Sequence, residues 1–361
     1  MSDTSDTVML QPNEKTQGFL GQIMGSIAGA MMLRLCAIGD ELGLFKDLAA
    51  NGPATSEELA ARTGLNERYV REWIYGIAAT GTLDFDKSSR RVSMCDEFVA
   101  VLADEAGPLF QGGLFRQMTG LMKPYAQILD AFKNGGGVDY ADYDDDWWSG
   151  LERSTCVRYR NLLVSQWLPE MPDVAEKLAN GGSFADFGCG AGGSTIELAK
   201  AFPDATFYGF DLFAPNVDKA RANAEAEGVG DRVTFEVADL ENQPEASYDV
   251  VATFDVIHDM ADPMAGLKSL RRVVKDDGIF VLMEIACEED PADNAGPMAV
   301  LKLGASIHFC MTTSLAQGGL GLGTVGLPEG KVKEFTKEAG FSSVRRLPIE
   351  HPLNVLYEIR P

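Results

Sequence analysis

A chain of 361 residues, 45% hydrophobic and 24% charged, has the make-up of a globular protein and the length for two domains. Its 54 acidic and 31 basic residues leave a net charge of −23. That balance argues against nucleic acid and anionic membranes, which are gripped through Lys and Arg, and it suits a protein kept in solution in a salty cytoplasm.

The start, MSDTSDTVMLQPNEK, is polar and acidic, so no signal peptide is expected. The next run, FLGQIMGSIAGAMMLRLCAIG, is apolar but interrupted by Gln22, Ser26 and Arg34, and it reads as a packed helix. Gly21, Gly25 and Gly29 recur every four residues and put small residues on one face, which predicts an interlocked homodimer. Cys36, Cys95, Cys156, Cys189, Cys287 and Cys310 form no C-x-x-C pair. They read as reduced thiols of a cytoplasmic protein, with neither a disulfide framework nor a zinc site, and no metal is expected.

Residues 1–102 are expected to form an N-terminal helical segment followed by a winged helix. Thr55 and Glu58 have the spacing of a capping box, LNERYVREWIYGIAATG reads as a helix ended by Gly81, and TLDFD and RRVSM flank a KSS turn. The helix where DNA would be read pairs Glu67 and Glu72 with Arg68 and Arg71 and has no basic face. A dimerisation and lid domain fits better than a DNA reader. Residues 103–173 read as a helical connector. Its stretch NGGGVDYADYDDDWWSG is expected to be a loop whose Trp147 and Trp148 line a substrate cavity, and Pro169 and Pro172 close the following helix.

From 174 to 361 strands and helices alternate, as in a doubly wound α/β fold with a mostly parallel seven-stranded sheet. Two last strands around Glu350 and His351 should form an antiparallel hairpin at its edge.

DFGCGAGGS follows the first of these strands and opens a helix. The glycines allow a tight turn that aims backbone N–H groups at a ligand. Gly188, Gly190 and Gly193 satisfy a dinucleotide pattern, and Gly188, Gly190 and Gly192 a methyltransferase one. The acids break the tie. Asp186, Asp211 and Asp239 end successive strands, suited to an amine, a ribose diol and an adenine amino group. Leu212, Leu240, Phe254 and Asp255 complete the expected cofactor-binding set. The series resembles the class I fold that binds S-adenosyl-L-methionine (SAM), a cation that acidic residues favour.

With its winged-helix domain, the whole chain resembles the O-methyltransferases of plants and polyketide-producing bacteria. GLNERYVREWI, IHDMADP, SLAQGGLGLG and AGF resemble more closely a bacterial group whose neighbourhood includes marine enzymes that S-methylate 4-methylthio-2-hydroxybutyrate on the way to dimethylsulfoniopropionate. The resemblance implies that His258 serves as the base and Glu284 orients it, although Met260 stands where the plant enzymes have Trp. An unperturbed histidine is largely neutral at cytoplasmic pH and can accept a proton from a hydroxyl. A thioether has no proton to give, and for it His258 would be a clamp.

His308, in the insertion before the final helix, is a candidate for the acceptor pocket, and His351 reads as structural. Tyr140, Tyr143, Trp147 and Tyr159 suit a cationic product, and Arg116 or Arg158 an acidic substrate. The expected activity is S-methylation of a methylthio hydroxy acid. The alternatives are O-methylation with His258 as base, or a SAM-sensing regulator.

Overall fold

The computed structural model describes residues 13–361. The reading of the polar N-terminal stretch therefore falls almost wholly outside the described residues. The chain divides into two compact units, one ending at Glu105 and the other Ala106–Pro361.

In the first unit Asn13 caps α1 (Glu14–Glu41), its side chain accepting from the Thr16 N–H. Helices α2 (Leu44–Asn51), α3 (Ser56–Thr63) and α4 (Glu67–Ala79) follow. Thr55 and Glu58 form the expected capping box on α3. A two-stranded wing, β1 (Asp84–Asp86) and β2 (Arg91–Ser93), precedes α5 (Asp96–Leu102). Phe45, Leu59, Trp73 and Ile77 fill the core. Most of α1 stays outside it: Phe19, Met24 and Met31 are 60%, 63% and 58% exposed. By length and composition alone, α1 and the stretch Gly296–Ala316 are long and apolar enough to cross a membrane.

The second unit opens with α6 (Gly112–Leu121), α7 (Tyr125–Asn134) and α8 (Asp145–Arg158). Here one expectation is corrected: Trp147 and Trp148 sit on α8, not in a loop. Asp144 caps that helix and Asp145 and Asp146 occupy its first turn, where negative charge is favourable. The acidic run is a helix start. Helix α8 crosses α6 at backbone contact. A Cβ on Gly120 would lie 2.2 Å from the Trp147 nitrogen, and one on Gly150 2.2 Å from the Gln117 nitrogen. The chain continues as a π-helix (Tyr159–Trp167) and a short 3₁₀ turn (Leu168–Glu170), not as one helix closed by prolines.

Then come α9 (Pro172–Ala179), β3 (Ser183–Phe187), α10 (Gly193–Ala201), β4 (Thr206–Asp211), α11 (Ala214–Ala226), β5 (Val233–Val237), β6 (Tyr248–Phe254), α12 (Pro263–Val273) and β7 (Val274–Ile285). The insertion holds α13 (Gly296–Ala305), a π-helix (Ser306–Cys310) and α14 (Met311–Ala316). Helix α15 (Glu329–Glu338), β8 (Ser343–Arg346) and β9 (Asn354–Arg360) end the chain. The seven-stranded sheet runs β5-β4-β3-β6-β7-β9-β8, parallel except for β9, which is antiparallel to both neighbours. Alternate strand residues feed opposite layers: Phe184, Ile279 and Val281 join one apolar cluster, and Ala185, Phe280 and Leu282 the other. The strand order reverses between β3 and β6, and at such a switch point ligands bind beyond the carboxyl ends of the strands.

Candidate active site

The glycine turn joins β3 to α10. Gly188, Gly190 and Gly192 all have positive φ, and the Gly188 and Cys189 N–H groups bond the Phe210 carbonyl of β4. A Cβ on Gly192 would lie 2.6 Å from the Phe235 ring, whereas one on Gly190 would meet nothing within 4 Å. The turn is packed beneath and open at Gly190. Asp186, 1% exposed, accepts on Oδ2 from the hydroxyls of Ser194 and Thr195, while its Oδ1 is buried and has no partner. Burial lifts this carboxyl to about 7 against the pull of both hydroxyls. A buried carboxylate oxygen left free beside a glycine turn fits an incoming ammonium group.

One strand over, Asp211 accepts from the Gly190 N–H at 2.9 Å and from the Phe213 N–H at 2.9 Å, and burial raises its pKa. Leu212 beside it is 70% exposed. Asp239 lies two residues past β5, exposed, where its side chain accepts from the Glu241 N–H. Leu240 is buried in the 3₁₀ turn that follows. Phe254, the last residue of β6, is buried with its ring centroid 5.5 Å from that of Tyr159.

Asp255 has φ +58°, a conformation uncommon for a residue with a Cβ and the kind of strain that collects at functional sites. Its carboxylate accepts from Arg158 Nη2 at 3.2 Å and from Asn354 Nδ2 at 2.6 Å, and Arg158 Nη1 donates to Asn354 Oδ1 at 2.6 Å. Burial lifts Asp255 to about 6 even with Arg158 beside it. Arg158 Nε is buried without a partner. Sequence reasoning named Arg158 only as a substrate ligand and missed Asn354.

Past Asp255 a 3₁₀ turn carries His258, 2% exposed. Its Nδ1 lies 2.5 Å from Glu284 Oε2 on β7, and Glu284 Oε1 accepts from the Ile257 N–H at 3.0 Å. The other ring nitrogen, Nε2, lies 3.2 Å from Asp259 Oδ1. Donor atoms of His258, Asp259 and Cys310 all lie within 4.8 Å of one another. Burial alone would lower the histidine's pKa, but Glu284 and Asp259 outweigh it and hold it well above 6.5. The expectation of an unperturbed imidazole did not foresee a carboxyl group at each ring nitrogen, which favours the charged form of the ring. The Cys310 thiol is pushed up to about 11 by burial and remains protonated.

The aromatic residues divide. Tyr143 and Trp147 are 4% and 3% exposed and pack with Phe309, and the Tyr143 hydroxyl donates to the His308 carbonyl. They are packed in the interior and offer a ligand little face. Tyr140 is half-buried, 6.0 Å from Trp148, which stacks at 4.9 Å on Phe213 just past Asp211. Tyr159 is buried, and a Cβ on Gly193 would lie 3.2 Å from its ring. Arg116 points elsewhere and pairs with Asp145 and Asp146. His308 sets its Nδ1 2.9 Å from the Gly304 carbonyl one turn back. His351 accepts from the Leu353 and Asn354 N–H groups, and burial lowers it to about 4, a structural placement.

The strand order, the glycine turn and the two acids at adjacent strand ends are those of the SAM-dependent methyltransferase fold. More particularly, residues 178–312 match the family described as Methyltransferase domain, and residues 29–104 match the Rv2258c-like winged HTH domain. The 27-O-demethylrifamycin SV methyltransferase of Amycolatopsis mediterranei (strain S699) is 32% identical over 170 residues, 46% of this chain and 58% of that enzyme. The mitomycin biosynthesis 6-O-methyltransferase of Streptomyces lavendulae is 24% identical over 275 residues, 74% of this chain and 77% of that enzyme. The solved structure of PigF with S-adenosylhomocysteine (SAH) aligns with a TM-score of 0.71 at 19% identity, covering 96% of this chain and 99% of that one, a likeness of fold. The chain spans 38–58% of the lengths of the first curated relatives it matches.

Proposed function

We propose that this chain is a small-molecule methyltransferase that moves the SAM methyl group to a neutral thioether sulfur, the acceptor being a methylthio hydroxy acid such as 4-methylthio-2-hydroxybutyrate. The observation that carries the choice of acceptor is the state of His258. A general base needs a free lone pair near the acceptor, and here each ring nitrogen faces a carboxyl group, at 2.5 and 3.2 Å, an arrangement that favours the protonated ring. Transfer to a thioether removes no proton and needs only alignment and exclusion of water.

Asp186, the Gly188–Gly192 turn and Asp211 are the residues that would hold SAM, with Asp239, Leu212, Leu240 and Phe254 around the adenosine end. Bound there, SAM supplies an electrophilic methyl on a sulfonium. Arg158, fixed by Asp255 and Asn354, keeps one buried N–H for an anionic group such as the methionyl carboxylate. His258 and Glu284 form a hydrogen-bonded pair on the acceptor side of the crevice.

A second reading has one observation in its favour. The 2.5 Å contact of Glu284 with His258 Nδ1 is how a histidine base is oriented, and an acceptor hydroxyl that displaced Asp259 from Nε2 would meet it. The exposed apolar face of α1 supports a homodimer formed through the N-terminal unit.

The test is methyl transfer from SAM to thioether acids and to phenols, run beside calorimetric titration with SAH of the wild type and of Asp186→Asn. Turnover of the thioether acids, with SAH binding weakened by Asp186→Asn, is expected. Turnover of phenols alone would overturn the sulfur reading in favour of the oxygen one. No SAH binding by the wild type would overturn both.

A further inference from the structure

We infer that the side chains of His258, Asp259 and Cys310 form a site for a divalent transition-metal ion, Zn²⁺ by preference. The inference goes beyond methyl transfer, because the ligands are the same whichever acceptor is used.

Geometry is the first argument. One ligand atom from each of these three side chains lies within 4.8 Å of the other two, and His258 Nε2 lies 3.2 Å from Asp259 Oδ1. Tetrahedral zinc, with bonds of about 2.0–2.3 Å, spaces its ligand atoms roughly 3.3–3.8 Å apart. Asp259 Oδ1 is buried and accepts no hydrogen bond, although it faces the ring nitrogen. An ion between the three groups would satisfy it. A set of one nitrogen, one oxygen and one sulfur suits zinc, whereas Mg²⁺ and Ca²⁺ take oxygen alone.

Orientation is the second argument. Glu284 Oε2 lies 2.5 Å from His258 Nδ1, and Glu284 Oε1 accepts from the Ile257 N–H at 3.0 Å. A ligating histidine commonly gives its other ring N–H to a carboxylate, which fixes the ring and makes the ligating nitrogen more basic. Glu284 therefore leaves Nε2 as the ligand.

The two segments that bring the ligands are also fastened to each other. His258 and Asp259 sit on the 3₁₀ turn after β6. Cys310 ends the π-helix Ser306–Cys310, a rare turn of the kind frequent at functional sites. Just beyond it, the Ser314 hydroxyl donates to the Met260 carbonyl at 2.9 Å, and the Leu320 N–H to the Ala261 carbonyl at 2.9 Å. A Cβ on Gly319 would lie 2.3 Å from Ala261 Cα, so the segments meet at backbone contact. No spacing motif announces the set, because Cys310 lies far along the chain from the other two.

Coordination removes the proton from the thiol and any proton on Nε2, and both go to solvent. The thiolate and the Asp259 carboxylate then balance the ion, and no buried charge is left unpaired. His258 and Cys310 are buried, whereas the Asp259 side chain is 14% exposed, and the ion would enter from that side. Three protein ligands leave the fourth tetrahedral position to water. With Nε2 on the metal, His258 has no lone pair for a hydroxyl proton, in keeping with an acceptor that releases none.

The test titrates Co²⁺, a spectroscopic stand-in for Zn²⁺, into the full-length protein after dialysis against a chelator. One equivalent should give the visible bands of a tetrahedral ion and a thiolate-to-cobalt charge-transfer band. Excess Zn²⁺ should abolish both, and excess Mg²⁺ neither. Cys310→Ser should remove the charge-transfer band, and Glu284→Gln should weaken Co²⁺ binding by about 10–100-fold. A wild type without these bands overturns the inference with no variant needed. So does a charge-transfer band that survives Cys310→Ser, since it then comes from another cysteine. SAH titrated into the same samples separates the two readings. Metal binding without SAH binding would sink the SAM-binding reading alone, and SAH binding without metal binding would sink the metal site alone.

Discussion

Replacing Glu284 by Gln keeps the shape of the side chain and an oxygen for the Ile257 N–H, but it removes the carboxylate 2.5 Å from His258 Nδ1. Glu284 is 1% exposed and His258 2%, so water cannot restore what is lost. Removing one partner of a buried ion pair costs about 3–5 kcal/mol. The retained amide oxygen places this substitution at the lower end, and in a unit of this size about 3 kcal/mol lowers the melting temperature by roughly 6–12 °C. The pH dependence has a definite sign. The folded pKa of His258 lies above its unfolded value of about 6.5, so the stabilisation is complete below that value and is lost as pH rises through the folded pKa. The gap between wild type and Glu284→Gln should be widest near about pH 6.5 and narrow as the pH is raised above it in thermal melts followed by circular dichroism. A gap below about 2 °C at the lower pH, or one that stays constant across the range, would refute the charged-histidine argument.

Two further outcomes are expected. Gly150→Ala should lower the melting temperature by roughly 2–12 °C, an overpacking cost of about 1–3 kcal/mol, because its Cβ would press on the Gln117 backbone at 2.2 Å. Since α8 carries Trp147 and Trp148, it should also raise the acceptor KM more than the SAM KM, and equal effects on both would contradict the placement of that wall. Met24→Asp, on the 63% exposed face of α1, should convert a dimer to a monomer in light scattering, and an unchanged mass would remove α1 as the interface.

The glycine turn and its neighbouring acids were legible in the sequence because they are local. A glycine turn after an apolar strand, with acids at the ends of that strand and the next, needs only short-range rules. The wing and the capping box on α3 are local in the same sense. The acidic stretch before Trp147 was read as a loop although its helix signal was present: Asp144 as cap and two acids in the first turn are what a helix start requires. The surroundings of His258 and Arg158 depend on contacts distant in the chain. Glu284 stands 26 residues from His258, and Asn354 stands 196 from Arg158, so neither the charge on the histidine nor the clamp on the arginine has a sequence signature. Gly120 and Gly150 look like ordinary helix glycines until α6 and α8 are seen at backbone contact.

The turn after β6 joins the two halves. Within five residues it supplies Asp255 to Arg158 and Asn354 on one side, and His258 and Asp259 to Glu284 and the acceptor crevice on the other. The left-handed backbone at Asp255 is what permits this division, and its strain is offset by two hydrogen bonds to the carboxylate and by the bond from its own N–H to the Met283 carbonyl. Acids on separate loops would drift with those loops. Asp255 and Asp259 share one short turn anchored to β7 through Glu284 and to β9 through Asn354.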